Sequence, residues 1–177
     1  ATRFTENILA QNSRMQRLVE KLLHQAKLEN RLEIAFAPVE MSVLFQQLQE
    51  ERSAVAAAKA LNIIFEANDA VVAGDKELLA QAVGNLLDNA IDFTPAGGNI
   101  VLRAAEEADK VVITVSDSGG GIPDYALPRI FERFYSLPRG NGQKSSGLGL
   151  AFVQEVARLH HGDVPVSNRA EGGCEAL

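Results

Sequence analysis

Leu78-Leu79-Ala80-Gln81-Ala82-Val83-Gly84-Asn85-Leu86-Leu87-Asp88-Asn89-Ala90-Ile91 is the stretch whose reading decides the fold. Apolar residues recur along it every three or four positions, which predicts a helix with a broad buried face. Gly74 and Asp75 before it form a turn and an N-cap. Pro95, Gly97 and Gly98 stop it. Within this helix Asn85 and Asn89 stand one turn apart, so both amides project from one face among leucines. Two such amides are either capping or margin-of-core contacts, or neutral oxygen ligands for a hard cation such as magnesium, which takes its remaining oxygens from water and phosphates.

Outward from this helix the pattern changes period twice. Upstream, Met41 to Leu61 is rich in Ala, Gln, Glu and Leu and predicts another helix, with Val43, Leu44, Leu48 and Val55 for burial. Ile63 to Glu66 and Val71 to Ala73 read as short strands. Downstream, Ile100 to Ala104 and Val111 to Val115 are β-rich runs around an acidic turn, expected as antiparallel neighbours. Leu148 to Leu159 resumes a helical period that His160, His161 and Gly162 close, and a last strand begins near Val164. The order predicts an α+β fold, a two-layer sandwich whose mixed sheet is covered by helices on one face, preceded by one long amphipathic helix. That preceding helix spans Thr5 to Glu29, with Ile8, Met15, Leu18, Leu22 and Ala26 in its stripe.

Composition narrows the function classes. The 177 residues are 46% hydrophobic and 23% charged, an ordinary mix for one compact domain and a short appended element. No apolar run approaches the roughly 20 residues that span a bilayer. The net charge of −6 opposes general nucleic-acid binding. Cys174 is the single cysteine, so no internal disulfide forms, and three scattered histidines make no metal site. A reducing compartment suits such a chain.

Three further motifs carry chemistry. Asp117-Ser118-Gly119-Gly120-Gly121-Ile122-Pro123 follows the strand ending at Val115. It is either an ordinary tight turn or a carboxylate aimed at an exocyclic amine, with glycines that let a planar base approach. Pro123 and the lack of a long βαβ unit argue against a dinucleotide fold. Ser145-Ser146-Gly147-Leu148-Gly149-Leu150 opens a helix whose free N–H groups suit anionic oxygens. Before it, Phe131-Glu132-Arg133-Phe134-Tyr135 offers an aromatic anchor, and Arg139 to Lys144 is either surface charge or a cationic stretch able to close over a ligand.

In this order the motifs resemble the asparagine, first-glycine, phenylalanine and second-glycine boxes of sensor histidine kinases, over Val39 to Gly173. The resemblance implies an ATP-binding catalytic domain at residues 34–177, its C-terminal strand cut short, after the second helix of a dimerisation and phosphoacceptor hairpin at 1–33. It implies that Asn89 ligates Mg²⁺, Asp117 binds the adenine amino group, Phe93 packs near the base, and Gly147 and Gly149 admit the phosphates. Asn85 is the catalytic member of its box. Gly119, Gly121, Ile122, Tyr135, Arg139, Lys144, Ser146, Leu148 and Leu150 complete the implied ATP contacts. Related ATPases usually place Glu at position 85 to activate water, so Asn favours a kinase.

The implied activity is transfer of the ATP γ-phosphate to histidine, with relay to an aspartate of a response-regulator receiver domain. The intact protein would be a homodimer anchored in a bacterial inner membrane, with this portion cytoplasmic and touching neither membrane nor nucleic acid. Three positions depart from the pattern. Asp92 stands where many relatives carry a phosphate-directed Lys, Ser145 replaces a frequent glycine, and no His-Glu or His-Asp acceptor motif occurs. The stretch is therefore expected to bind ATP without phosphorylating itself. The alternatives are a related ATPase or serine-kinase module and a nucleotide-insensitive interaction module.

Overall fold

A computed structural model of the chain describes residues 36–138 and 145–176. The helix expected over Thr5 to Glu29, and Arg139 and Lys144, lie outside the described residues. The elements are β1 (Ala37–Glu40), α1 (Met41–Ala58), β2 (Asn62–Glu66), β3 (Val71–Gly74), α2 (Lys76–Phe93), β4 (Asn99–Glu107) and β5 (Lys110–Asp117). A 3-10 turn at Leu127–Arg129 follows, then α3 (Gly149–Leu159), β6 (Val166–Asn168) and β7 (Cys174–Ala176).

The expected α+β sandwich is present. Among the described residues the main sheet has five strands in the order β2-β4-β5-β7-β6. β2 runs parallel to β4, and the remaining neighbours are antiparallel. Alternation along β4 buries Ile100, Leu102 and Ala104, while Arg103 on the other face pairs with Glu66 across the sheet at 2.7 Å. The buried face packs under the helices. Met41, Leu44, Phe45 and Leu48 of α1 and Leu79, Val83, Leu86, Leu87 and Ile91 of α2 supply the other side of the core. Phe45 meets Phe65 of β2 edge to face, ring centroids 6.4 Å apart.

Two strands escaped the sequence pattern. β1 contains Pro38 and only four residues, and it pairs with β3 in a separate two-stranded sheet. Proline demotes such a run when periodicity alone is read. β7 is three residues long and lies between β5 and β6, so the last expected strand is the edge and not the final addition. Its glycine-rich approach through Gly172 and Gly173 conceals it.

Both ends of α2 are fixed by side chains. Asp75 caps its start, accepting from the Leu78 N–H at 3.0 Å. The backbone N–H of Asp75 donates to His160 Nε2 at 3.0 Å, while His160 Nδ1 lies 2.8 Å from the Val156 carbonyl. This pair of contacts requires the neutral ring with its proton on Nδ1. The sequence placed His160 only at the close of a helix, whereas the fold makes it a bridge from α3 to α2.

At the other end of α2, the Lys59 ammonium donates to the carbonyls of Ile91, Asp92 and Thr94 at 2.5, 3.2 and 2.8 Å. α1 ends at Ala58, short of Leu61, with Lys59 as its C-cap and Ala60 at φ 51°. Three helix-end carbonyls are thus satisfied by one cation that also complements the helix dipole. Lys59→Met keeps the apolar stem and removes every donor. It is expected to cost about 1.5–3 kcal/mol, lowering the thermal midpoint by roughly 4–10 °C in a calorimetric scan.

Candidate nucleotide-binding site

The motifs lie along α2: Asn85 meets the start of α3, and Phe93 at its C-terminal end meets Gly119, just after β5. Asn85 faces inward from α2 and is 8% exposed. Its Nδ2 lies 3.5 Å from the Gly149 carbonyl in the first turn of α3. A Cβ at Gly149 would stand 3.8 Å from Asn85 Cγ, so helix and helix start are in side-chain contact. Asn89, one turn further along α2, is half-buried. The N-cap of α3, Leu148, offers no side-chain acceptor to the N–H groups of the first turn. Ser146, Gly147, Gly149 and Leu150 are half-buried around that turn, and Leu148 is buried.

Gly147 is required here by two observations. Its φ is +68°, and a Cβ would overlap the Phe134 backbone. The Phe134 N–H in turn donates to the Gly147 carbonyl at 2.9 Å. The segment 131–135 is therefore anchored through its backbone. The expected aromatic anchor is corrected in part: Phe134 has φ 66° and its ring is 74% exposed, because the left-handed backbone turns it outward. Ile130 and Ala126 provide the burial instead. Tyr135 is half-buried, with the Arg129 guanidinium 4.4 Å from its ring centroid.

Asp117 ends β5 on the buried face, opposite Ile100, and is 8% exposed. One carboxylate oxygen, Oδ1, accepts from the N–H groups of Gly119 at 2.8 Å and Cys174 at 3.3 Å. Those bonds orient the carboxylate and leave Oδ2 for another donor. Gly121 and Ile122, both half-buried, continue the loop from Gly119. Phe93 is the last residue of α2, partly exposed, and Thr94 after it is 1% exposed with its hydroxyl donating to the Ala90 carbonyl at 2.6 Å. Thr94, which closes α2, and Asn168, Arg169 and Cys174 behind Asp117 join the site only in the folded chain. The sequence signal of the last three is weak because the β6–β7 hairpin that carries them has short strands.

Burial first, and then the negative charge of Asp117, pushes the Cys174 thiol up to about 11 from its ordinary value of 9.0. Alkylation by iodoacetamide near pH 8 should therefore be slow in the folded protein and fast after denaturation, with the folded rate rising toward pH 11. The folded thiol keeps its proton longer than the unfolded one. Its contribution to stability is thus full below about pH 9 and is lost as the pH rises through 11.

This arrangement defines a class. A family model described as the histidine kinase-, DNA gyrase B-, and HSP90-like ATPase matches residues 74–176, and the chain belongs to that family. It carries the ATP-binding domain of the sensor-kinase type. The sensor protein CreC of Escherichia coli strain K12 is 57% identical over 174 residues, covering 98% of this chain and 37% of CreC. The sensor protein kinase PmrB of Pseudomonas aeruginosa is 32% identical over 160 residues, covering 90% and 34% respectively. The chain spans less than half the length of these curated relatives.

Solved structures agree. Full-length ShkA in complex with AMPPNP matches with a TM-score of 0.76 at 30% identity, over 92% of this chain and 34% of that one. The mycobacterial sensor histidine kinase MprB matches with a TM-score of 0.69 at 28% identity, over 80% and 94%. Among the described residues, no helix is long and apolar enough to cross a membrane.

Proposed function

We propose that this domain holds Mg²⁺·ATP between α2 and the start of α3 and presents the γ-phosphoryl group to a histidine. The observations that carry the reading are the contact of Asn85 with the uncapped first turn of α3 and the oriented carboxylate of Asp117 at the end of β5. Asp117 Oδ2 accepts from the adenine amine, with Phe93 beside the base and Gly119, Gly121 and Ile122 lining the loop. The N–H groups at Leu148 and Gly149 donate to phosphate oxygens, with Ser146, Gly147 and Leu150 around them. Arg139 and Lys144 add positive charge over them, and Tyr135 flanks the site.

Asn89 suits magnesium. Its amide oxygen is a hard neutral ligand on a half-buried face. Among the described residues no cluster of three or more His, Cys, Asp or Glu stands ready to hold a metal, so phosphates and water would complete the coordination. When bound, the ion offsets the charge of the transferring phosphoryl group. Asn85 lacks the carboxylate that would activate water, which favours transfer to an imidazole nitrogen over hydrolysis. The protein's own contribution is orientation and charge, and no covalent intermediate on the domain is needed.

In the longer protein, residues 1–33 form the second helix of a hairpin that dimerises and bears the acceptor histidine outside this stretch. Phosphate then passes to the aspartate of a response-regulator receiver domain, and the whole is anchored in a bacterial inner membrane with this domain on the cytoplasmic side. The names of the sensor-kinase relatives and the AMPPNP complex of ShkA support this reading. Isothermal calorimetry on the 177-residue chain tests it. Saturable ATP and ADP binding that tightens with Mg²⁺ is expected, and folded protein that gives no heat with either nucleotide would sink the proposal. Steady release of inorganic phosphate would favour the ATPase alternative.

A further inference from the structure

We infer that Asn168, on the edge strand β6, is a positioning residue that straps the base-binding loop in place. The inference rests on the reading of Asp117 as the adenine ligand. Asn168 Oδ1 accepts from the Ile122 N–H and Asn168 Nδ2 donates to the Ile122 carbonyl, both at 2.7 Å. One exposed amide thus saturates both backbone groups of a single residue, as an antiparallel partner would. The fit is close: Gly121 has φ +73°, and a Cβ there would stand 2.9 Å from Asn168 Oδ1.

The same hairpin grips the other end of the loop. Arg169 Nη1 donates to the Asp117 carbonyl at 3.1 Å, and the Cys174 N–H donates to Asp117 Oδ1 at 3.3 Å. The loop from Asp117 to Ile122 is therefore held at both ends by residues 168–174. Its two ends are fixed differently. Asp117 belongs to the core sheet and is buried, whereas Ile122 lies beyond three glycines, in a stretch with no strand or helix, and the Asn168 amide gives it two backbone bonds. Freed from the strap, a triglycine segment gains many backbone states, and ligand binding must then meet the cost of ordering it. The side chain of Asn168 is exposed, so its removal leaves the core untouched.

The test compares the unsubstituted 177-residue chain with Asn168→Ala and Asn168→Asp. Calorimetry well below the unfolding temperature measures Mg²⁺·ATP and Mg²⁺·ITP, inosine triphosphate having a carbonyl where adenine has its amine. Asn168→Ala is expected to weaken ATP roughly tenfold and to shrink the preference for ATP over ITP. Its thermal midpoint should stay within a few degrees. Asn168→Asp still accepts from the Ile122 N–H but opposes the Ile122 carbonyl, so it should fall between the two. Hydrogen exchange at the Ile122 amide should accelerate in Asn168→Ala. An unchanged ATP-to-ITP preference in folded variants, or unchanged exchange at Ile122, overturns the inference. An unsubstituted chain that fails to distinguish ATP from ITP overturns the assignment of Asp117 itself.

Discussion

Asp117→Asn is expected to weaken ATP binding by roughly 10- to 100-fold while leaving the fold intact. The two halves of that expectation come from the two oxygens. Oδ1 is occupied by the N–H groups of Gly119 and Cys174, and an asparagine oxygen can accept both bonds in the same place. The substituted amide then directs its NH₂ outward, where Oδ2 now stands. A donor would face the donor of the adenine amine, so a charge-assisted bond of about 1.5–3 kcal/mol is replaced by a repulsive contact. Calorimetric titration beside a thermal scan checks both halves. A large fall in midpoint with proportionate loss of affinity would mean that Asp117 serves the fold and not the base.

Asn89→Ala is expected to abolish the strengthening of ATP binding by Mg²⁺, while binding measured in excess EDTA stays within about threefold of the unsubstituted chain. Removal of the amide takes away the ligand proposed for the metal, and the base contacts at Asp117 lie at the end of a different element. Because Asn89 is half-buried on a helix, alanine is well tolerated there by the backbone. In a longer form of the protein bearing the acceptor histidine, the same substitution should lower phosphoryl transfer by at least about 100-fold, since the ion offsets charge that develops during transfer. Retained Mg²⁺ dependence in Asn89→Ala would move the metal ligand elsewhere.

Much of this was legible in the chain. The helix from Lys76 to Phe93 follows from its apolar period, its Asp75 cap and its Pro95–Gly98 stop, and these signals are local. The β4–β5 pair is legible for a similar reason, because two β-rich runs flank an acidic turn. Asn85 was legible as an amide inside a leucine-rich helix, and Asp117 and Gly147 as unusual residue types beside element ends. The behaviour of Phe134 was not, since an aromatic side chain predicts burial whereas the backbone at φ 66° turns this one outward.

Sequence by itself determined the described helices, the long strands and the order of the four motifs, because periodicity and residue type carry that information locally, and the resemblance of those motifs pointed to the family. Only the tertiary structure decided which groups meet. Lys59 reaches the end of α2 across 32 residues and more, His160 bridges to Asp75 across 85, and Asn168 straps Ile122 across 46. Each is a hydrogen bond between groups that have no period and no spacing in common. Their pairing depends on where two chain segments cross, which the core fixes by burying Leu87, Ile100 and Leu102 together.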